Sequence, residues 1–294
     1  MKEYNITLEE RKENMGALIL EGGTFRPMFS NGVMDALLDS GIDFPYVIGV
    51  SAGITNGVSY VSKQKKRAYN ILMNHRYDKR YVGMRNFITD RSLFGLKYAY
   101  ETLPRDVYPF DWDTYRNSPT VVKVGVTNAK TGKAEYLDGK DLDETCSMLK
   151  ATCAIPFVFP RICIDGEEYY DGGICDPIPI RKAQADGHEK ALIVLTRPEG
   201  YCKTASKANM AAAKVLRKKY PKLVKPLLTR HHAYNETVTY CEQLEREGKA
   251  VILRPTEEVQ IESFEKDMKK IDRVYHYGYE LAMKNMDRIR EILQ

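Results

Sequence analysis

The sequence predicts an α/β fold in which a central, mostly parallel sheet is covered by helices on both faces, giving three layers. Short β-type runs alternate with helical stretches along much of the 294 residues, as in sheets whose strands are connected by helices. The first two runs, residues 16–20 and 46–50, are almost wholly apolar, which is typical of parallel strands buried on both faces. A hydrophobic fraction of 43% and a charged fraction of 29% allow a large core and exclude a disordered chain.

The strand candidates follow one another in a regular order. They are residues 16–20, 46–50, 120–127, 134–137, 162–164, 168–170, 191–195 and 250–253. A helix with apolar positions at Val33 and Leu37 follows the first strand and ends at Gly41, and another follows the second strand. A turn at residues 130–132 and the pair Asp165-Gly166 each predict a β-hairpin.

The C-terminal stretch predicts one long amphipathic helix. Its apolar residues are spaced three or four apart, and they are Phe264, Met268, Ile271, Tyr275, Gly278, Ala282, Met286, Ile289 and Leu293. The small residues Gly278 and Ala282 would allow another element to pack closely. Residues 63–119 show no clear periodicity, and we interpret them either as a cap over a site or as surface helices.

Signals for export, membrane insertion and metal binding are missing from the sequence. No apolar run reaches the ~18–20 residues that cross a bilayer, and the opening residues lack the apolar stretch of a signal peptide. The six cysteines form no Cys-x-x-Cys pair, so in a reducing compartment we expect free thiols. We therefore expect a cytoplasmic protein with no metal and no cofactor.

The first motif that carries chemistry is Gly49-Val50-Ser51-Ala52-Gly53, a Gly-x-Ser-x-Gly pattern. A strand-like run ends at Val50 and a helix-compatible stretch begins at Ala52, which is the context of a nucleophile elbow. In such an elbow the serine sits on a strained turn, and the residues two positions before and after it are glycine because the turn crowds them. The alternative is an ordinary strand-to-helix turn that needs small residues.

A glycine-containing loop, residues 21–27, follows the first strand and precedes a helix. The backbone N–H groups of Gly22, Gly23 and Thr24 could bind an anion there, such as the oxyanion of an acyl-transfer reaction. Arg26 would add positive charge or anchor the loop. A plain glycine turn is one alternative. A dinucleotide site is another, although the spacing is not Gly-x-Gly-x-x-Gly.

A third motif, Asp171-Gly172-Gly173, comes directly after the predicted hairpin. A carboxylate at the end of a strand, followed by glycines, can approach a neighbouring strand end closely. Asp-Gly is also a common turn pair, so by itself this motif has a structural alternative.

In this order the three motifs resemble those of a bacterial patatin-like phospholipase. That family carries a glycine-rich oxyanion loop, a Gly-x-Ser-x-Gly elbow and an Asp-Gly-Gly or Asp-Gly-Ala motif. The segments 154–160 and 176–179 resemble the family too, and the clear match covers roughly residues 16–198. Thr24 and Pro27 stand where the family's loop has glycine, and Pro177 stands where it usually has asparagine.

The resemblance implies a modified α/β-hydrolase-like architecture and a serine acyl-ester hydrolase that acts through an acyl-enzyme. Ser51 would be the nucleophile and Asp171 the general base of a Ser–Asp dyad. The oxyanion hole would use Gly22, Gly23 and Thr24, with Arg26 supporting it. The flanking motif residues are Gly49, Gly53, Gly172 and Gly173. We expect an N-terminal tail at residues 1–15, a catalytic core at 16–198 and a mainly helical part at 199–294 packed on the same core, together one structural domain.

Three alternatives stay open. A catalytic triad would need a histidine after Asp171, and the candidates are His188, His231, His232 and His276. A catalytically weak or inactive lipid-binding member of the family is favoured by Pro27, which supplies no N–H. A nucleotide-binding oxidoreductase rests only on the glycine loop.

Lipid contacts are expected from two regions. The aromatic and apolar residues of segment 63–119 are candidates for acyl-chain contacts: Phe87, Phe94, Leu96, Tyr98, Tyr100 and Trp112. The net charge of +5 comes from residues 200–235, which hold nine basic residues and no acidic ones. This basic segment, Lys203 to Arg230, suits peripheral contact with an anionic inner membrane, or else forms a solvated face over the core. No nucleic-acid-binding module is recognised.

Overall fold

The computed structural model describes residues 16–293, so the tail expected at residues 1–15 lies outside the described residues. At its centre is an eight-stranded sheet. The strands are β1 (Ala17–Leu20), β2 (Tyr46–Val50), β3 (Val121–Asn128), β4 (Ala134–Asp138), β5 (Ile162–Ile164), β6 (Glu167–Asp171), β7 (Ala191–Val194) and β8 (Ala250–Leu253). Each overlaps a run that the sequence predicts to be a strand.

The strand order is β5-β6-β3-β2-β1-β7-β8, with β4 also paired to β3. Strands β3, β2, β1, β7 and β8 run parallel to one another. The pairs β3–β4, β3–β6 and β5–β6 are antiparallel, and β3–β4 and β5–β6 are the two predicted hairpins. The predicted mostly parallel α/β sheet is therefore confirmed. In such sheets the loops at the carboxyl ends of the strands form the usual ligand site.

Helices connect and cover the strands. They are α1 (Met28–Asp39), α2 (Ser51–Val61), α3 (Arg67–His75), α4 (Asn86–Thr89), α5 (Trp112–Asn117), α6 (Ser147–Thr152), α7 (Ile180–Ala185), α8 (Lys207–Leu216), α9 (Val224–Arg246), α10 (Met268–Lys284) and α11 (Met286–Ile292). A π-helical segment spans Tyr98–Val107. Within residues 16–293, no helix combines the length and the apolar character needed to span a bilayer.

Both faces of the sheet are buried, because alternate strand residues point to opposite sides. On one face, Leu18 and Leu20 belong to a core cluster with residues of α1, α2 and α10. On the other face, Ala17 and Ile19 belong to a second cluster with residues of α7 and α9. This explains why β1 is apolar at every position rather than at alternate ones.

The C-terminal apolar stripe is divided between α10 and α11, so the prediction of one continuous helix is wrong. The side chain of Asp267 accepts hydrogen bonds from the N–H groups of Lys269 and Lys270 and so caps the start of α10. At the other end, Asn285 Nδ2 donates to the Leu281 carbonyl at 2.9 Å. An asparagine that bonds to the backbone in this way competes with the helical pattern, and the chain begins a new helix after it.

The expected close approach at Gly278 is present, and its partner is α1. A Cβ on Gly278 would lie 2.2 Å from the Phe29 carbonyl oxygen, and a Cβ on Gly32 would lie 2.0 Å from the Tyr275 carbonyl oxygen. Two facing glycines thus bring the backbones of α1 and α10 together. This contact fixes the helix that begins directly after the glycine-containing loop.

Candidate active site

Ser51 lies at the junction of β2 and α2, in the backbone conformation expected of a nucleophile elbow. Its φ is +52°, a left-handed value that side chains other than glycine adopt only under strain. The flanking glycines are required by space, because a Cβ on Gly49 would lie 2.7 Å from the Leu20 carbonyl oxygen and one on Gly53 would lie 2.4 Å from the Glu21 carbonyl oxygen. The two glycines therefore allow the turn to pack directly against the end of β1.

A threonine that the sequence analysis missed holds this turn in place. Thr152, at the end of α6, accepts a hydrogen bond from the Ser51 N–H at 2.7 Å. Its hydroxyl in turn donates to the Gly125 carbonyl of β3 at 2.6 Å. The strained residue is thus tied to the neighbouring strand through one buried side chain. No local sequence signal identifies Thr152, since it lies 101 residues from Ser51.

The glycine-containing loop is held against Ser51 by contacts with Thr196, which follows β7. The Glu21 carboxylate accepts from the Thr196 N–H at 2.6 Å, and the Thr196 hydroxyl donates to the Gly22 carbonyl at 3.0 Å. Arg26 donates to the hydroxyls of Thr196 and Ser263. Arg26 therefore anchors the loop, which is one of the two roles expected of it.

The glycine-containing loop lies directly beside the nucleophile. A Cβ on Gly22 would lie 2.8 Å from the Ser51 Cβ, so the loop and the elbow are in direct contact. Gly23 and Thr24 have φ values of +147° and +58°. Among the described residues, no acceptor is hydrogen-bonded to the N–H groups of Gly22, Gly23 or Thr24. Such unpaired donors are what an oxyanion requires.

Pro27 lies at the start of α1, where its missing N–H costs the helix nothing. The first N–H groups of a helix have no partner within it, and the φ of −61° at Pro27 suits a helix start. The Pro27 carbonyl still accepts from the Asn31 N–H at 2.9 Å. Proline is therefore compatible with the observed loop, and the three unpaired donors precede it.

Asp171 ends β6 and is fixed by its backbone. Its N–H donates to the Ala154 carbonyl at 3.0 Å, and its carbonyl accepts from the Thr127 hydroxyl at 2.9 Å. A Cβ on Gly172 would lie 2.1 Å from the Gly125 carbonyl oxygen, so the following residue must be glycine. These contacts explain the spacing of the Asp-Gly-Gly motif.

The Asp171 carboxylate is buried, and one of its oxygens is unpaired. Oδ1 accepts from the Gly173 N–H at 2.8 Å. Oδ2 is buried and has no hydrogen-bond partner within residues 16–293. Burial raises the pKa of this carboxyl above its usual range, and the positive charge of Arg230 and the nearby Ser51 hydroxyl offset only part of that effect. A higher pKa makes the carboxylate a stronger base.

Cys153 is a further neighbour of the serine that the motifs do not include. The contact of the Ser51 hydroxyl with Cys153 Sγ, at 4.0 Å, is long, and Thr55 lies closer to the same sulfur at 3.3 Å. Burial raises the pKa of the Cys153 thiol to about 11, so the group is a neutral thiol at physiological pH. It fills space beside the hydroxyl and carries no charge.

An apolar cavity opens on one side of Ser51. Residues of segment 63–119 supply one of its walls, so this segment forms a cap over the site. Of the six candidates for acyl contacts, Phe94, Tyr100 and Trp112 line the cavity, whereas Phe87, Leu96 and Tyr98 are not among its described lining residues. Other apolar members of the lining are Phe25, Met28, Ile71, Leu72, Phe110, Leu142, Leu149, Ile155, Val158 and Phe159.

A second, polar pocket opens on the other side of the same serine. It includes the glycine-containing loop, Asp171 and residues from the C-terminal part of the chain. The sequence analysis missed this pocket, because Arg197, Lys203 and Arg230 lie far along the chain from the glycine-containing loop that shares it. Its charged and titratable members are Glu21, Arg26, Asp171, Arg197, Lys203, Arg230 and His231.

The histidines considered for a triad lie in different places. His231 lines the polar pocket and stacks on His232 with ring centroids 4.0 Å apart. His188 is buried against Tyr46, and His276 pairs with Asp272 on the surface of α10. Among the described residues, none is hydrogen-bonded to Ser51 or to Asp171 through its ring. No group of three or more potential metal ligands is found within residues 16–293.

Two parts of the chain match known protein families. Residues 18–183 match the family model described as patatin-like phospholipase, and residues 220–294 match a domain of unknown function, DUF6363. The uncharacterized protein YjjU of Escherichia coli strain K12 is 24% identical over 196 residues, which are 62% of this chain and 52% of YjjU. The chain thus spans about half the length of this curated relative. The crystal structure of VipD from Legionella pneumophila matches with a TM-score of 0.48 and 13% identity, over 93% of this chain and 67% of that one.

Proposed function

This chain belongs to the patatin-like phospholipase family, a family of lipid ester hydrolases, and we propose that it cleaves acyl esters with Ser51 as nucleophile and Asp171 as base. One observation carries the proposal. The residues that carry three unpaired backbone N–H groups and an unpaired, buried carboxylate oxygen line the same pocket as a serine held in a strained turn. Each feature is costly to a folded protein, and together they match what acyl transfer needs.

In the first half of the proposed reaction, the Ser51 Oγ attacks the ester carbonyl carbon. The Ser51 proton moves to the Asp171 carboxylate while the carbonyl oxygen becomes an oxyanion. The N–H groups of Gly22, Gly23 and Thr24 stabilise that charge, as does the N-terminus of α2. The bond to the leaving alcohol then breaks, and the alcohol oxygen takes the proton from Asp171.

In the second half, water attacks the carbonyl carbon of the acyl-enzyme. Asp171 accepts a proton from the water and then returns it to the Ser51 Oγ as the carbon–oxygen bond to serine breaks. The products are a fatty acid and the regenerated hydroxyl. The apolar cavity holds the acyl chain throughout, because its walls offer aromatic and aliphatic contacts directly beside Ser51.

A fluorophosphonate probe and a p-nitrophenyl ester test this proposal. The wild type is expected to be labelled and to release p-nitrophenol, whereas Ser51→Ala loses both and a control, Ser118→Ala, loses neither. If the folded wild type is neither labelled nor active, the hydrolase proposal is wrong and the lipid-binding alternative takes its place. Loss of activity in His231→Ala together with full activity in Asp171→Asn would instead indicate a histidine base.

We also propose that the basic segment contacts anionic lipid at the membrane surface. Exposed apolar side chains lie among its charges, with Val215 63% and Met210 46% exposed. Lys214 and Lys218 are exposed close to them, whereas Lys219 is paired with Glu168 at 2.9 Å. An exposed mixture of basic and apolar side chains is typical of interfacial segments.

Vesicle sedimentation tests this contact. Binding to vesicles of anionic lipid is expected to fall with rising salt and in Lys214→Glu/Lys218→Glu, but not in Lys269→Glu, which changes a lysine outside the segment. Binding that is independent of salt, or no binding, would contradict the proposal.

A further inference from the structure

The polar pocket beside Ser51 carries an excess of positive charge. Its cationic side chains are Arg26, Arg197, Lys203 and Arg230, and its carboxylates are Glu21 and Asp171. The Glu21 carboxylate is already bonded to the Thr196 N–H, and Asp171 is the proposed base. The pocket therefore holds more cations than anions before any substrate enters.

Two of the four cationic side chains are used by the protein itself. Arg26 donates to the hydroxyls of Thr196 and Ser263 and so fixes the glycine-containing loop. Arg230 donates through Nε to the Gly173 carbonyl and so supports the loop after Asp171. Their positive charge remains, but these donors are committed to the protein.

The other two have donors to spare. Arg197 Nε is buried and has no hydrogen-bond partner among residues 16–293, although Nη1 contacts Gln260 Oε1 at 3.4 Å. Lys203 Nζ lies 4.3 Å from the centre of the Tyr234 ring, and no described residue accepts a hydrogen bond from it. A buried donor without a partner is costly, so an anionic acceptor beside Arg197 Nε would stabilise this side of the pocket.

The titration of Lys203 supports this interpretation. Burial, followed by the positive charges of Arg230, Arg26 and Arg197, lowers the pKa of Lys203 to about 7, while Glu21 acts in the opposite direction. The neighbouring Tyr234 contributes only its ring face. A bound anion would relieve the repulsion and restore the full charge of the lysine.

The position of the pocket says which part of a substrate would enter it. Ser51 lines both pockets, and the apolar cavity takes the acyl chain under the proposed function, on which this inference rests. The leaving alcohol must then occupy the polar pocket. A phosphate monoester on that alcohol brings two negative charges and no positive one. A phosphocholine headgroup brings only one negative charge and adds a cation to a pocket that already has four cationic side chains, and a glycerol offers hydroxyl acceptors but no negative charge.

We propose that Arg197 and Lys203 form an anion subsite which selects esters whose leaving alcohol carries a phosphate monoester, such as an acyl glycerol phosphate. The phosphate takes no part in the bond changes. The ester bond between the acyl carbon and the alcohol oxygen breaks, the acyl group passes to Ser51, and the proton held by Asp171 goes to the alcohol. Glycerol phosphate leaves intact.

Three esters with the same short acyl chain, kept below their micelle concentrations, test the proposal. They are octanoyl glycerol phosphate, octanoyl glycerophosphocholine and octanoylglycerol. The wild type is expected to prefer the phosphate monoester over each of the others in kcat/KM by about tenfold or more, the effect of one charge-assisted hydrogen bond. Lys203→Met and Arg197→Met are each expected to lower that ratio about tenfold, whereas Lys207→Met, which removes an exposed lysine one turn away in sequence, keeps it.

Several outcomes overturn the proposal. Equal kcat/KM values for the three esters, or an unchanged ratio in Lys203→Met, would show that the pocket does not select the phosphate. Millimolar inhibition by inorganic phosphate with no preference among the esters would assign the site to free phosphate. If the protein hydrolyses none of the esters and no p-nitrophenyl ester, the proposed function has failed. Calorimetry with Ser51→Ala then decides the subsite, since equal affinity for the three esters would contradict it.

Discussion

The two pockets that meet at Ser51 have opposite chemistry and different origins. The apolar cavity is lined by the helices and loops of segment 63–119 together with residues of α1, α2 and α6. The polar pocket is lined by the glycine-containing loop, Asp171 and residues beyond β7. An ester that spans both pockets has one orientation in which its acyl chain lies in the apolar cavity and its charged group lies in the polar pocket. Under the proposed function, this difference would set the direction in which the substrate binds.

The largest effect is expected at Asp171, because the proposed reaction needs this base for every ester, whatever occupies the two pockets. Asp171→Asn should lower kcat/KM for any ester by about 10³-fold or more, because it removes the proposed acceptor of the Ser51 proton. Since the raised pKa makes the ionised form costly in the folded state, removing the charge should leave the Tm unchanged or raised. Kinetics and thermal unfolding measure the two effects.

Asp176→Asn is the matched control for this change. Asp176 is also buried with a raised pKa, but its carboxylate faces the Tyr136 hydroxyl. Activity should therefore survive in this variant. The wild-type activity should also fall with decreasing pH at a point above the ordinary aspartate pKa of about 3.9. An acid limb at or below that value would contradict the role of a buried base.

A smaller effect is expected when the apolar cavity is filled. Ala68 lines it, and Ala68→Phe should lower kcat/KM for a dodecanoyl ester about tenfold more than for a butyryl ester, because lost chain contacts cost about 1–3 kcal/mol. Phe87→Ala changes an aromatic residue of the same segment that does not line the cavity. If both variants lower the two esters equally, the cavity does not hold the acyl chain.

The polar pocket can be tested by its pH dependence. As the pH rises from about 7 to about 9, Lys203 loses its proton, so KM for octanoyl glycerol phosphate should rise several-fold while KM for octanoylglycerol changes little. Lys203→Arg keeps the charge and should flatten this rise. If KM rises equally with pH for both esters, or if Lys203→Arg leaves the rise unchanged, Lys203 does not bind the phosphate.

The smallest effect concerns the loop that both pockets share. Pro27→Gly should lower the free energy of unfolding by about 0.5–1 kcal/mol, because glycine has more freedom in the unfolded chain. Activity should stay within about twofold, because the three unpaired N–H donors lie before position 27. If the new N–H of Gly at this position bound the oxyanion, activity would instead rise about 10²-fold. Such a rise would show that the proline weakens the enzyme.

Much of the fold was accessible from local patterns. Strands, hairpins and the helix after Gly49–Gly53 were predicted because apolar runs, turn pairs and glycine spacing act over a few residues. The prediction of one continuous C-terminal helix failed for the same reason, because it used only the spacing of apolar residues. That spacing continues past Asn285, whereas the helix is interrupted there by a side-chain hydrogen bond that the spacing does not reveal.

The basic segment shows the limit of such patterns. From its sequence alone, all nine basic residues appeared to form one surface. In the structure Lys203 and Arg230 line the polar pocket, Lys219 is paired with Glu168, and α8 ends at Leu216, before Arg217 and Lys218. Charge counts give the number of cations in a segment but not the direction in which each points.

By itself the sequence determined the sheet, the elbow and the order of the three motifs, because each depends on the backbone freedom and bulk of adjacent residues. Only the tertiary structure decided what surrounds Ser51. Thr152 and Thr196 act across 101 and 175 residues, and Arg197 and Lys203 reach the same pocket as Gly22 because they follow β7, the strand paired with β1. These contacts depend on the order of the parallel strands in the sheet. Local sequence periodicity carries no information about that order, so the contacts could not be predicted from the sequence.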